Sequence, residues 1–382
     1  MYKRDLSPYI IKSLGKYPII AIFGPRQSGK TTLSRTVFSD FKYVTLEDPD
    51  TRNLAQVDPR GFLKANKENL ILDEIQRVPD LLSCLQGIVD DPKNKQKFIL
   101  TGSHQFLLMK EVSQSLAGRV RIFNLLPLSY RELANFHQQL ELEHFIFTGG
   151  YPRIYANDLS PTEWLSQYYQ TYVERDLREI IHLKELFHFE KMLKLLAGRV
   201  GQLVNMSSIA TEVGTSQPTI ASWLHILELS FLTFSLKPHH KNFNKRIIKT
   251  PKIYFYDTGL LCWLLEIKTT NQLKLHPQRG LIFENWIISE LMKNSFNKGE
   301  RPNFYFWRDQ NGHEVDVVYE EDNLLKAIEI KAGSTFQEDW LKGINYLNNL
   351  QDGNGGTCYY QGDNEFEFKD CIIKPWKNIT GL

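Results

Sequence analysis

Short apolar runs alternating with amphipathic stretches organise the first third of the chain. Tyr17-Pro-Ile-Ile-Ala-Ile-Phe23, Asn69-Leu-Ile-Leu-Asp73 and Lys97-Phe-Ile-Leu-Thr-Gly-Ser103 are compact and apolar, bounded by turn-forming or charged residues. That is the pattern of strands buried on both faces. Tyr43-Val-Thr-Leu-Glu47 begins another strand, and Ser115-Leu-Ala-Gly-Arg-Val-Arg-Ile-Phe123 alternates toward a further one. Between them, Thr31–Phe38 and Pro79–Val89 space their apolar residues as helices do. Strand–helix alternation predicts a parallel sheet with helices on both faces.

The middle of the chain changes period. Ser160-Pro-Thr-Glu163 places a capping Ser, a Pro at the first helical position and an acid at the third. A long helix is expected from there to about Leu183, and a second from about Phe187 to Val200. Trp164, Tyr168 and Tyr172 recur at spacings of four, which reads as core packing. Met206–Gly214 and Thr215–Leu227 form a helix, a Gly turn and a second helix. Ile209, Ala210 and Val213 face the same core as Ile220, Leu224 and Leu227, the pattern of a helix-turn-helix. Two apolar strands, Phe231–Leu236 and Lys252–Tyr256, complete a winged helix. Further on, Leu281–Leu291 is an amphipathic helix, and strands follow at Phe304–Arg308, Glu314–Tyr319 and Leu325–Lys331. A hairpin turn at Glu321-Asp-Asn323 joins the last two.

A chain of 382 residues is long enough for two or three domains. The formal net charge of +2 offers no global attraction to nucleic acid, so any basic surface must be local. Cys84, Cys262, Cys358 and Cys371 have no metal-type spacing and suit buried thiols in a reducing compartment. With no apolar signal core at the start and no run of 18 apolar residues, a cytoplasmic protein with no membrane association is expected.

Chemistry concentrates at strand ends. Gly24-Pro-Arg-Gln-Ser-Gly-Lys-Thr31 is a complete G-x-x-x-x-G-K-[ST] phosphate loop between a strand and a helix. Gly24, Pro25, Arg26, Gln27, Ser28, Gly29, Lys30, Thr31 and Thr32 are expected to cradle a nucleotide. The backbone N–H groups point at the phosphates, Lys30 reaches the β- and γ-phosphates, and the Thr31 hydroxyl ligates Mg²⁺. Asp73 and Glu74, ending the third apolar run, have the form of a Walker B element. Asp73 belongs to the Mg²⁺ shell, and Glu74 polarises the attacking water. Thr101 or Ser103 is placed to sense the γ-phosphate or the water; a strand-end turn built on Gly102 accounts for them equally. Arg119 or Arg121 can serve as an arginine finger reaching a neighbouring subunit's site, and a surface cation pair is the other reading.

These motifs together resemble one family. The phosphate loop, Leu46-Glu-Asp-Pro-Asp50, Leu72-Asp-Glu-Ile-Gln76, Leu100-Thr-Gly-Ser103, Leu116-Ala-Gly-Arg119, Leu126-Pro-Leu-Ser129, Gly149-Gly-Tyr-Pro152 and Tyr172-Val-Glu-Arg-Asp-Leu177 are similar to those of prokaryotic AAA-type ATPases of the STAND-related branch. Those proteins carry a C-terminal domain of unknown function that resembles a restriction endonuclease. The resemblance implies an α/β fold: a P-loop AAA-type parallel sheet over 1–135, a helical lid over 136–202, a winged helix over 203–258 and a PD-(D/E)xK nuclease-like α/β domain over 259–382. It implies ATP and Mg²⁺ as cofactors, hydrolysis at Lys30, Asp73, Glu74 and Arg119, a lid element at Gly149–Pro152, and a homo-oligomer, a hexameric ring foremost.

Two features point to DNA. Between 237 and 252, Lys237, Lys241, Lys245, Arg246, Lys249 and Lys252, with His239 and His240, meet no acid. Such a run is an electrostatic footprint for phosphates, and Ser216, Gln217 and Thr219 at the start of the second helix can meet a groove. Winged helices in AAA proteins also serve only as lids or subunit contacts. Glu284, Asp316, Glu329 and Lys331 match the D…E-x-K core of restriction-endonuclease-like folds, which include archaeal Holliday-junction resolvases. Asp316 and Glu329 would hold Mg²⁺, Lys331 would orient water or offset developing charge, and Glu284 would stand behind the metal's direct ligands or position water. Three readings follow: an ATPase that binds and remodels or translocates DNA, including branched DNA such as Holliday junctions; a STAND-like ATP-dependent assembly switch; and an ATP-regulated nuclease.

Overall fold

The structure is a computed structural model that describes residues 2–103, 116–137, 141–174, 185–239 and 250–379. Lys241, Lys245, Arg246 and Lys249 of the basic run lie outside those residues, as do 175–177 of the Tyr172–Leu177 segment.

Five strands, β1 (Ile19–Phe23), β2 (Lys42–Thr45), β3 (Leu70–Asp73), β4 (Phe98–Gly102) and β5 (Val120–Asn124), form a sheet in the order β2-β3-β4-β1-β5. Every pairing is parallel. All five residues of β1 are buried. Ile19, Ala21 and Phe23 join one apolar cluster, whereas Ile20 and Ile22 join another with Leu6, Ile10 and Leu33. Because successive side chains point to opposite faces, burial on both faces makes the run continuously apolar. The parallel direction puts the ends of β1, β3 and β4 on one edge, where ligands of open α/β sheets bind.

Beyond this sheet, the helix Pro161–Tyr168 widens into a π-helical segment, Tyr169–Glu174. The single helix expected from Ser160 therefore changes pitch part-way. The helices Met206–Val213 and Gln217–Leu229 join at Gly214 and are followed by the antiparallel pair β6 (Thr233–Leu236) and β7 (Lys252–Phe255). Helix Thr258–Leu264 packs on Leu142–Thr148, on the lid side of the boundary expected at 259.

The C-terminal region folds as a six-stranded mixed sheet. Its strands are β8 (Tyr305–Arg308), β9 (Glu314–Glu321), β10 (Leu324–Lys331), β11 (Gly356–Tyr360), β12 (Phe366–Phe368) and β13 (Cys371–Pro375), in the order β12-β13-β11-β10-β9-β8. Asp322 and Asn323 take positive φ in the β9–β10 turn, as a two-residue hairpin needs. The long helix Arg279–Asn297 lies against β10 and carries Glu284. One apolar cluster runs from β1 through the middle helices to Val317 and Ile328.

Candidate functional site

The phosphate loop leaves β1 and enters the helix Lys30–Val37. Gly24 is required by close approach: a Cβ there would stand 2.0 Å from the Leu125 carbonyl oxygen. The Lys30 ammonium is buried and donates to the carbonyls of Gly24 (3.0 Å) and Pro25 (2.8 Å). Burial pushes its pKa down to about 8, while Glu74 and Asp73 pull the other way. A buried cation held only by carbonyl dipoles gains most when an anion arrives. The Ser28 hydroxyl is buried with no hydrogen-bond partner among the described residues, a donor left over inside the cradle.

Asp73, at the end of β3, is the hub. Its carboxylate accepts from the Thr31 hydroxyl at 3.1 and 3.2 Å, from the Tyr43 hydroxyl at 2.7 Å and from the Thr101 hydroxyl. Burial, then the bond to Asp73, pushes the Tyr43 phenol up to about 12, so it stays a donor. The Thr31 hydroxyl beside a carboxylate is the oxygen pair that a Mg²⁺ bridging phosphates uses. The residues present thus fit Mg²⁺, which when bound would neutralise charge on the phosphates. Glu74 follows in a left-handed conformation (φ +58°), which turns its side chain out of the strand. It accepts from Gln76 and from the Ser103 hydroxyl at 3.3 Å. Thr101 and Ser103 therefore divide their work: one meets Asp73, the other Glu74.

Of these groups, Lys30, Thr31 and Glu74 border a cavity of about 860 Å³. Its other walls include Tyr2, Arg4, Val37, Pro152, Arg153 and Ala156. Pro152 belongs to the Gly149–Pro152 element. Gly149 (φ +76°) would put a Cβ 2.3 Å from Asp257 Oδ1, and the Gly150 N–H donates to Asp257 Oδ2 at 2.7 Å. Asp257 also caps the helix Thr258–Leu264 by accepting from the Leu260 N–H. The cavity wall is thereby fastened to the residues just after β7.

Reading the sequence left Tyr2 and Arg4 without a role. Arg4 is buried and donates to Glu132 Oε1 (2.9 Å), to the Ser28 carbonyl (2.7 Å) and to the Leu126 carbonyl (2.7 Å). It thus braces the phosphate loop from behind. The Ser129-x-x-Glu132 capping box is readable locally, but nothing local links Glu132 to Arg4. Arg119 does not line this chain's cavity; it makes a two-pronged pair with Asp90 at 2.5 and 2.8 Å on the surface. Arg121 bonds the Gly299 carbonyl.

A second cluster lies in the C-terminal region. Asp316 on β9 accepts from the Ile330 N–H (2.9 Å) and stands 3.5 Å from Lys331 Nζ, which also meets Glu329 at 2.6 Å. Glu284 accepts from the Tyr254 hydroxyl at 2.6 Å. The structure thus brings all four candidate residues together. It also corrects the reading of the basic run. Lys252 is 4% exposed and points into this cluster, 2.5 Å from Glu314 and 3.6 Å from Glu284. His239 is likewise buried, 2.9 Å from Glu320. Both leave the exposed run because β7 packs on the helix Arg279–Asn297 and the residues after β6 bridge to Phe306 of β8; Lys237 remains exposed. Burial, then the neighbouring Asp316, raises the carboxyls of Glu284 and Glu329. Burial disfavours a charged Lys252, but Glu284, Asp316 and Glu314 outweigh it and keep it protonated.

Among the described residues, no group of three or more His, Cys, Asp or Glu side chains is arranged to hold a metal, and no helix is long and apolar enough to cross a membrane. The four cysteines are free.

Comparison with known proteins follows this geography. Residues 16–134 match the family described as AAA domain. Residues 139–271 and 279–379 match two domains of unknown function, DUF8612 and DUF4143. The uncharacterized protein Rv2008c of Mycobacterium tuberculosis is 31% identical over 339 residues, covering 87% of this chain and 74% of that protein. The uncharacterized protein MJ1544 of Methanocaldococcus jannaschii is 27% identical over 358 residues, covering 82% and 77%. Among solved structures, the Walker-type ATPase paby2304 of Pyrococcus abyssi aligns with a TM-score of 0.48 at 14% identity, covering 69% of this chain and 96% of that one, too remote to add weight. A phosphate loop facing a strand-end Asp-Glu pair, inside a AAA-domain match and along a chain that follows Rv2008c for most of its length, places this protein in the family of AAA-type ATPases that end in the DUF4143 domain.

Proposed function

We propose that this protein hydrolyses ATP with Mg²⁺ and uses the cycle to remodel or translocate DNA, branched DNA such as Holliday junctions included. The observation that carries the ATPase part is the convergence of Lys30, Thr31 and Glu74 on one cavity, with Asp73 held directly behind Thr31 by its hydroxyl. In this reading Lys30 holds the terminal phosphates, and Thr31 and Asp73 hold the metal. Glu74 polarises water, with Gln76 and Ser103 setting its angle. The apolar wall at Val37, Pro152 and Ala156 suits the base. Glu74→Gln keeps the site's shape but removes the base. ATP should still bind while turnover falls by about 10²–10⁴-fold, as filter binding alongside phosphate release will show.

The DNA part rests on the order of elements at 206–255. Two helices meeting at Gly214 are followed by an antiparallel strand pair, which this reading takes as a winged helix. The cations Lys237, Lys241, Lys245, Arg246 and Lys249 fall between its two strands. Replacing Lys241, Lys245 and Arg246 by Ala should weaken duplex binding and flatten the slope of log affinity against log salt by about 2.7. Unchanged affinity removes this segment from the interface. Arg119, exposed beside Asp90, is available to a neighbouring subunit's site in a homo-oligomer, a hexameric ring foremost.

A second reading, an ATP-dependent assembly switch, is favoured by the Gly150–Asp257 link between the cavity wall and the residues after β7. One experiment separates the two. ATP turnover is measured with single-stranded, duplex, forked and four-way DNA, with native mass recorded with and without ATP. DNA-stimulated hydrolysis supports remodelling. ATP-dependent assembly indifferent to DNA supports the switch.

A further inference from the structure

The C-terminal sheet and the helix Arg279–Asn297 gather Asp316, Glu329 and Lys331 with Glu284 in the pattern of a metal-dependent nuclease, yet the residues do not fit a metal. The spaces where the carboxylates converge are filled by two ammonium groups. Lys331 Nζ sits against Glu329 and Asp316 at 2.6 and 3.5 Å. Lys252 Nζ sits against Glu314 and Glu284 at 2.5 and 3.6 Å. One of these lysines does not belong to the C-terminal sheet. Lys252 begins β7, whose register partner is Leu236 of β6.

Six further hydrogen bonds fasten the same strand pair to the same region. Tyr254, fully buried, donates its hydroxyl to Glu284 at 2.6 Å. Asn285 bonds both the N–H and the carbonyl of Phe255, at 2.7 and 2.9 Å. Past the end of β6, the Phe306 N–H donates to the Lys237 carbonyl and the His239 N–H to the Phe306 carbonyl, extending the sheet beyond β8. His239 Nε2 lies 2.9 Å from Glu320.

We propose that the carboxylate centre is an internal lock, in which Lys252 of β7 takes the place of a divalent cation and ties the hairpin to the C-terminal sheet. Two things follow from the geometry. First, Glu284 faces Lys252 across buried space and Asp316 faces Lys331 of β10, so a divalent ion or a phosphodiester must displace an ammonium group at each, and at Glu284 that means moving β7. Second, β7 carries the fastening onward. Asp257 stands two residues beyond the strand and holds Gly150 beside the nucleotide cavity. The basic segment ends just before it. A strand pinned at Lys252 and at Asp257 relates these three places through one short, extended piece of backbone. The lock stands whether or not the protein binds DNA.

The test uses the full chain without nucleotide, with Mn²⁺ alone as the probe. Titration calorimetry on the wild-type protein should show no binding that depends on Asp316, up to about 1 mM Mn²⁺. Wild-type binding that Asp316→Asn abolishes would overturn the proposal, since the centre would then be an open metal site. The lock itself is read by a double-mutant cycle on thermal midpoint. Lys252→Met leaves Glu284 buried and uncompensated, and should lower the midpoint by about 5 °C or more. Glu284→Gln added to that background should recover part of the loss. Strictly additive losses would mean that the two residues do not act on each other. Should Lys252→Met fail to fold, Lys252→Gln removes the charge but keeps a hydrogen-bond donor, and its pairing with Glu284→Gln reads the same coupling.

Discussion

Lys30→Ala lowers ATP turnover by at least about 100-fold, a loss expected when a preorganised charge on the transferring group is removed. The reason lies in what surrounds the ammonium. It is buried, its direct partners among the described residues are the carbonyls of Gly24 and Pro25, and Asp73 and Glu74 act on it from further off. Among the described residues the cavity is lined by one other lysine, Lys3, from the N-terminal segment. Replacement by Ala leaves the loop carbonyls facing one another and the two carboxylates repelling the incoming phosphates. ATP binding should fall with turnover, which distinguishes this variant from Glu74→Gln. Wild-type turnover in Lys30→Ala would refute the assignment of this loop.

Arg4→Ala destabilises the protein by about 3–5 kcal/mol, the range for removing one partner of a buried ion pair. The Arg4 and Glu132 side chains are 6% and 0% exposed. Burial alone would raise the Glu132 carboxyl, but Arg4 and the N–H groups of Ser129 and Asp5 outweigh it and hold the pKa below its ordinary 4.5. The sign follows. A carboxyl depressed in the folded state contributes stability above its unfolded pKa, and that contribution is lost as pH falls through the folded value. In Arg4→Ala the burial effect is no longer opposed by the guanidinium, so the acid limb of the stability curve moves to higher pH. Thermal melts between about pH 3 and 7 will show it. An unchanged acid limb would mean that Glu132 does not depend on Arg4. The same variant frees the Ser28 carbonyl, so weaker nucleotide binding should accompany the loss of stability.

Much of the candidate nucleotide site's layout is legible in the sequence. Gly24 to Thr31 are contiguous, and a strand on one side and a helix on the other leave little choice in how the loop folds. Asp73 and Glu74 close an apolar run, so their place at a strand end follows from the run itself. The structure adds how they are held. Tyr43, Thr101, Gln76 and Ser103 come from three strand ends, and their meeting depends on the order β2-β3-β4-β1. Strand order is a long-range property that alternation alone leaves open. The change of pitch after Tyr168 also escaped the sequence, because aromatic spacing of four suits an α-helix and a π-helical turn alike.

What the sequence by itself determined is the local chemistry: the phosphate loop, the acidic strand end, the helix–turn–helix spacing and the E-x-K strand. Each is written in neighbouring residues, and neighbours are held by backbone geometry whatever the rest of the chain does. What only the tertiary structure decided is which charges meet. Lys252 and His239 looked like members of an exposed basic run, and packing turned both inward onto carboxylates. Arg4 found Glu132 across 128 positions. Burial sets the cost of a charge and pairing offsets it, and both belong to the assembled fold, so no count of residues along the chain could assign those partners.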